Sequence, residues 1–431
     1  MFKHLKENTF YKSTFILLVG GIFGKLIGFI LKIIITRRLG TEGMGLYSLL
    51  TPTNALITTI SVFSYSNAIS KLVAEQKYDN KSLFISIIPI SIILNIFFIL
   101  IVYLISKPLS ISLKNYSLYL PIICLSLTMP FISISAIIKG YFWGKQNMFP
   151  YILSNFIEQI IRLLLIVFFI TKINNIIYSI CFIILIDIIG EISSWIVMIN
   201  YTPKIKLKIH DLKINKQIIK DIMSFTIPTT LSKIIGSISY FAEPIILTST
   251  LLYVGYTNDY IVYEYGIINA YSLSTLLLPQ FFTQNMSTSL IPELSKQYKL
   301  NNYSLCIKRI KQIVLLSSLI GTISTLIITI FPKPILFILY NTNEGIDYIR
   351  LLSPFTILFY IEYPLINALQ ALGKTKLIMN ITIKTSFIRI ISLIVFSLLK
   401  IGMYSLVITI IINLITSTYL YYKNIKKILI I

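Results

Sequence analysis

Apolar runs of about twenty residues follow one another along nearly the whole chain, and that is the length needed to cross roughly 30 Å of hydrocarbon. Approximate spans fall at 13–38, 45–70, 82–105, 116–138, 151–171, 175–199, 221–250, 262–290, 312–331, 350–371, 379–399 and 402–422, about twelve in all. A bilayer offers no water to unpaired backbone groups, so a spanning segment must close its hydrogen bonds within itself or within a sealed barrel. Runs this long and this evenly apolar read as helices. Hydrophobic residues fill 56% of the 431 positions and charged residues only 13%, with a mean hydropathy of +0.83, far from the surface a water-soluble domain requires. The expectation is an all-α polytopic membrane protein.

The net charge of +22 is compatible with nucleic-acid binding in isolation, but its placement argues for topology. With the N-terminus inside, the cytoplasmic segments carry Lys3, Lys6, Lys12, Lys71, Lys77, Lys81, Lys139 and Lys145. They continue with the lysine-rich 204–220 loop, then Lys296, Lys299, Lys308, Arg309, Lys311, Lys374, Lys376, Lys423, Lys426 and Lys427. The outer segments hold far fewer: Arg37, Arg38, Lys107, Lys114, Lys172, Lys333, Arg350 and Lys400. Lysine and arginine accumulate on the cytoplasmic side, so both termini are expected there, with no nucleic-acid partner. The first run lacks a small-residue cleavage site and ends in Arg37-Arg38, which marks a retained helix. Cys124, Cys181 and Cys306 have neither disulfide nor metal spacing, and His4 and His210 lie in polar segments. No cofactor and no metal site is expected.

The chain also resembles itself. GKLIG (24–28) returns as SKIIG (232–236), YDNKSL (78–83) as LNNYSL (300–305), and the Gly-Lys of 140–149 within 369–378, with a separation that grows along the chain. Two six-helix lobes are expected, 1–200 and 221–431, joined by a basic cytoplasmic connector at 201–220. An even number of spans per copy keeps both in one orientation, related by a pseudo-twofold axis along the membrane normal and flanking a central cavity.

Ionisable residues inside spans are the candidates for function: Lys25, Lys32, Arg162, Lys233, Lys384, Arg389, Glu158, Asp187, Glu191, Glu243 and Glu362. Each would cost roughly 2.5–3.5 kcal/mol at a lipid-facing helix centre, so they should face protein or water. Gly21, Lys25, Gly28 and Lys32 share one face of the first helix, while Gly20, Gly24 and Gly28 allow close helix packing. Lys25 and its counterpart Lys233 are read as cavity-facing anion binders. Lys32 either joins them or snorkels to the interface. Glu158 and Arg162 are one turn apart in the favourable order for an ion pair, which competes with a weaker substrate-binding role for Arg162; Arg389 is a similar candidate. Asp187 and Glu191, also one turn apart, repel each other and need a base, a proton or a cation. Pairing with basic residues and ion coupling both stand as readings of these two, and Glu243 joins them as a possible coupling residue. The eighth span is polar for its depth, with Asn269, Ser272, Gln280, Gln284, Asn285 and Ser287, and is expected to line the interior.

There is no phosphate-binding Gly-rich lysine loop, no His-Glu-x-x-His and no Gly-x-Ser-x-Gly, and no segment between spans is long enough for a soluble catalytic domain. The reading is a transporter, not an enzyme.

ITRRLGTEGMGLYSLLTP (35–52), SNAISKLVAE (66–75), IPTTLSKIIGSI (227–238) and QALGK (370–374) resemble the stage V sporulation protein B group of the multidrug/oligosaccharidyl-lipid/polysaccharide flippase superfamily, which also holds the lipid II flippases. The resemblance implies V-shaped lobes and movement of a lipid-linked sugar pyrophosphate between leaflets. It also implies basic residues on the first helix of each lobe, here Lys25, Lys32 and Lys233. Close relatives usually have fourteen spans, the last two forming a groove for the lipid tail; this chain has about twelve.

The combined expectation is a monomeric flippase for an undecaprenyl-pyrophosphate-linked saccharide, working by alternating access among membrane lipids and driven by membrane potential or a monovalent cation. A cation-coupled exporter of drugs or metabolites on the same fold is the alternative, and would rest on Asp187 and Glu191. A membrane-embedded glycosyl transferase is a third, for which the outer loop offers only Glu344 and Asp347.

Overall fold

The computed structural model describes residues 2–76, 78–145, 147–202, 215–289, 294, 297–298 and 300–429; the side chains of residues 2–19 and of Ile22, Phe23, Lys25, Ala74, Pro228, Ser232, Asn285, Thr288 and Ser289 fall outside the described set. Among the described residues the chain is helical, with no strand. Among the described residues, ten helical stretches are long and apolar enough to cross a membrane. The difference from twelve has two sources. The first two expected spans run on directly as α1 (Phe2–Val62), two helical halves that meet at a break at Gly40, whose φ of 65° and ψ of −172° suit only glycine. The eighth is too polar and too interrupted to count, for reasons given below.

The chain divides into two compact units, 1–39 with 50–237 and 40–49 with 238–431. The main division falls at Ser237 and Ile238, inside a continuous helix, and not in the basic connector. Residues 203–214 of that connector lie outside the described residues.

The first unit comprises most of α1 with α2 (Tyr65–Ala74), α3 (Asn80–Ser112), α4 (Tyr119–Leu127), α5 (Met129–Gly144), α6 (Phe149–Phe169), α7 (Ile176–Asn200) and the start of α8 (Lys216–Val254). Its core gathers Tyr65, Ile69, Leu83, Ile87, Ile137, Phe142, Met198 and Ile222. Apolar side chains alone do not hold helices together in lipid, so close backbone approach matters. Gly140 and Gly144 of α5 provide it. A Cβ on Gly140 would lie 2.6 Å from the Ser66 carbonyl oxygen of α2, and one on Gly144 would lie 2.7 Å from that of Ser70. Alanine ordinarily favours a helix interior over glycine by about 1 kcal/mol. Here the obstacle is backbone, which cannot swing away, so Gly140→Ala should instead lower stability by about 2 kcal/mol, read as an earlier thermal unfolding midpoint of the purified protein.

Polar residues within the spans are mostly absorbed locally. Ser91, Ser106, Ser126 and Ser154 donate to the carbonyls three residues earlier, at 2.6 to 2.8 Å. Asn175 caps α7 by accepting from the Ile177 and Tyr178 amides. Arg38 donates to the Thr171 carbonyl at 3.0 Å, placing a cation at the C-terminal end of α6 where the helix dipole favours one.

The second unit holds residues 40–49, the rest of α8, α9 (Asn258–Gly266), a π-helical stretch (Ile267–Leu273), α10 (Ser274–Leu277), α11 (Gln280–Ser289), α12 (Tyr303–Ile330), α13 (Pro332–Tyr340), α14 (Ile346–Ala371), α15 (Thr375–Leu398) and α16 (Tyr404–Leu429). One core of this unit is built around Cys306, Ile310, Leu365, Leu369, Ile381, Tyr421 and Ile425.

Candidate functional site

Three helices of the first unit bring five charged side chains together. Glu158 and Arg162 come from α6, Asp187 and Glu191 from α7, and Lys139 from α5. Arg162 is the hub. Its Nη2 lies 2.9 Å from Glu158 Oε1 and 3.9 Å from Glu191 Oε1, and its Nη1 lies 3.3 Å from Asp187 Oδ1. Lys139 Nζ stands 3.8 Å from Glu158 Oε2 and 3.6 Å from Glu191 Oε2. The helical period makes this possible: four residues separate Glu158 from Arg162 and Asp187 from Glu191, so each pair points from one face. Gly190 completes the fit, because a Cβ there would lie 2.6 Å from Arg162 Nε, where the guanidinium crosses α7.

Asp187 and Glu191 therefore meet basic neighbours on other helices, and Arg162 is engaged by three carboxylates. Glu158 and Glu191 are 5% and 7% exposed, so their charges are tolerable only because the two bases stand among them. Lys139, expected in a cytoplasmic segment, lies instead within a helix that continues to Gly144. The readable signal is the apolar and aromatic run Ile137 to Trp143 on both sides of the lysine.

The second unit has a parallel arrangement. Arg389 of α15 pairs with Glu243 of α8, and its guanidinium carbon lies 5.6 Å from the centre of the Tyr240 ring. The buried Tyr265 bonds to the same carboxylate. Glu362 of α14 lies beside Ser417 and Arg389. Glu243 is only 3% exposed and cannot stand there uncompensated.

The lysines behave differently. Lys233 of α8 is exposed, and no carboxylate among the described residues lies within ion-pair reach of it. Lys32 is half-buried on α1, one turn beyond Gly28, where a Cβ would lie 3.5 Å from Gln159 Oε1 of α6. The side chain of Lys25 lies outside the described residues; its backbone is helical.

The expected eighth span is a broken helix whose polar groups are largely used inside the second unit. Gln280 Nε2 donates to the Phe359 carbonyl at 3.0 Å, and Tyr360 Oη donates to the Leu276 carbonyl at 2.7 Å, beside the interruption at Pro279. Asn367 Nδ2 donates to Ser287 Oγ at 2.7 Å. These bonds tie α10 and α11 to α14, and the one from Tyr360 satisfies a carbonyl beside the break. Gln280 and Ser287 thus serve packing instead of an open interior. Among the described residues no group of three or more His, Cys, Asp or Glu side chains is placed to hold a metal ion.

Comparison with known proteins agrees with the helical plan. The family described as polysaccharide biosynthesis protein matches residues 10–298, and the MatE family matches 244–395. Stage V sporulation protein B of Bacillus subtilis (strain 168) is 31% identical over 383 residues, 86% of this chain and 74% of the relative. Sporulation protein YkvU of the same organism is 24% identical over 377 residues, 86% and 84% of the two chains. Among solved structures, the inward-facing conformation of a multidrug resistance MATE family transporter of the MOP superfamily superimposes with a TM-score of 0.75 at 14% identity, covering 94% of each chain. A MOP superfamily transporter from Pyrococcus furiosus, described as having a binding pocket of reversed polarity, gives 0.62 at 15% identity, covering 98% and 95%. These neighbours carry the two-lobe all-helical fold. With the family match spanning most of its length and a relative at 31% identity, the chain belongs to the polysaccharide biosynthesis protein family, in the stage V sporulation protein B-like group.

Proposed function

We propose that this multi-pass membrane transporter is a flippase that carries an undecaprenyl-pyrophosphate-linked saccharide from the inner to the outer leaflet of a bacterial plasma membrane, with Lys25, Lys32 and Lys233 attracting the pyrophosphate. One observation supports an anionic cargo over a cationic one. The five acidic residues singled out above each have an arginine beside them: Glu158, Asp187 and Glu191 with Arg162, and Glu243 and Glu362 with Arg389. Lys233 has no such partner among the described residues, so the charge left to meet a cargo is positive. Arg162 and Arg389, bound to carboxylates, act in this reading as structural members and not as primary contacts. A lysine offers a point charge and no planar fork, which suits a pyrophosphate that must be released again.

The same geometry favours membrane potential as the drive over ion exchange at Asp187, Glu191 or Glu243. Potential that is negative inside pushes an anion outward, supplying about 2.3 kcal/mol per charge at 100 mV. A pyrophosphate therefore travels with the field.

The test is complementation of a bacterial strain depleted of its lipid II flippase. The wild-type chain should restore growth, and Lys25→Ala with Lys233→Ala should lower in-cell flipping about tenfold or more at equal expression. Full activity of the double variant would remove the anion role. Wild-type failure to complement, together with sodium-dependent export of cationic dyes, would favour the exporter reading.

A further inference from the structure

Two carboxylate oxygens on different helices of the first unit, Glu158 Oε2 and Glu191 Oε2, are buried and accept no hydrogen bond among the described residues. Both face the same group, the Lys139 ammonium, at 3.8 and 3.6 Å. These separations are too long for the short charge-assisted hydrogen bonds that a fitted lysine makes, usually below 3 Å. They are still close enough for strong attraction in surroundings that exclude water. Arg162 contrasts with it, reaching Glu158 Oε1 at 2.9 Å on the opposite side of the carboxylate. One base is seated; the other hovers between two acids.

We propose that Lys139 occupies a built-in monovalent-cation site of the first unit, its ammonium standing between the Glu158 and Glu191 carboxylates where a free monovalent cation would otherwise bind. The position has the chemistry of such a site, with two anionic oxygens from separate helices and both unsatisfied. It is reached by a four-carbon tether from α5 whose base is held in place by the close packing of Gly140 on α2. The tether fixes one positive charge in the lobe permanently. The pair Glu158 and Glu191 then needs no exchange with sodium or potassium as the protein works. Asp187, whose side chain is 36% exposed, is the least enclosed of the three acids and pairs with Arg162.

Removing the tether should expose the site. Lys139→Ala takes away the ammonium and leaves a space the width of a lysine side chain, large enough for a small cation that sheds most of its water to the two carboxylates. Lys139→Met removes the charge but fills the space.

The experiment compares thermal unfolding of the wild-type, Lys139→Ala and Lys139→Met proteins, purified in detergent, in ammonium, sodium, potassium and choline chloride at one ionic strength. The wild type should unfold at the same temperature in all four salts. Lys139→Ala should unfold about 4 °C lower in choline, with ammonium or another small cation restoring at least half the loss. Lys139→Met should be destabilised and respond to none, because no space remains. If Lys139→Ala yields no folded protein in choline, purification in ammonium chloride should recover it. Equal behaviour of Lys139→Ala in all four salts, absence of folded protein in every salt, or a wild type that responds as the alanine variant does, would each overturn the proposal. The measurement does not depend on what the protein transports, so it stands apart from the flippase test.

Discussion

Arg162→Ala should destabilise the protein by about 3–5 kcal/mol, among the largest losses expected from any single substitution in the first unit. The reason is the number of charges stranded. Glu158, Asp187 and Glu191 all lie within 4 Å of one guanidinium, and its removal leaves three carboxylates with Lys139 as their remaining base. Two of the three are almost fully enclosed. An uncompensated buried charge is far more costly than the net gain of the pair it came from, which makes breaking the network much worse than replacing it. A triple variant separates the two effects. Arg162→Met combined with Glu158→Gln and Asp187→Asn removes the base and two acids together, leaving Lys139 with Glu191, and should recover more than half the loss. Thermal unfolding in detergent reads both. Arg162→Ala should also fail to respond to ammonium, since a small ion cannot reproduce a planar fork that reaches three acids at fixed angles. An Arg162→Ala protein as stable as wild type would show that the network contributes nothing.

How much of this is legible in the sequence differs between the two kinds of site residue. The helical class follows from the apolar runs, because lipid leaves the backbone so few alternatives, and the two-lobed plan from the internal repeats. The Glu158–Arg162 pair is local, four residues apart on one helix, and spacing alone announces it. Asp187 and Glu191 signal their need for a counter-charge in the same way, but the identity of that charge depends on which helices meet, and spacing carries no such information. Lys139 escapes a sequence reading for a related reason. A lysine near the end of a span looks like an interfacial residue, and only the approach of α6 and α7 turns its ammonium inward. The polar eighth span misleads differently: its composition correctly marks a helix unsuited to lipid, while the tertiary bonds from Tyr360, Gln280 and Asn367 decide that much of its polarity faces α14. The kink at Gly40 is equally invisible, since a glycine within an otherwise helical run is compatible with continuation.

Charge reversal at Lys233 should have the largest effect on transport with the least effect on the fold. The side chain is exposed, pairs with no described carboxylate and sits on a helix whose packing it does not complete, so Lys233→Glu should change stability by no more than about 0.5 kcal/mol. For a pyrophosphate cargo the exchange removes an attraction and adds a repulsion, together about 3 kcal/mol, or roughly a hundredfold lower flux at subsaturating cargo. Lys233→Arg keeps the charge and should stay close to wild type, and Lys233→Gln should fall between the two. That graded order follows charge and not size, since glutamine and glutamate are nearly the same shape. A cationic cargo reverses the ranking: glutamate would then attract it, and export of cationic dyes would rise. Both assays on the same set of variants decide the sign of the cargo, and equal flux from all of them would show that Lys233 never meets it.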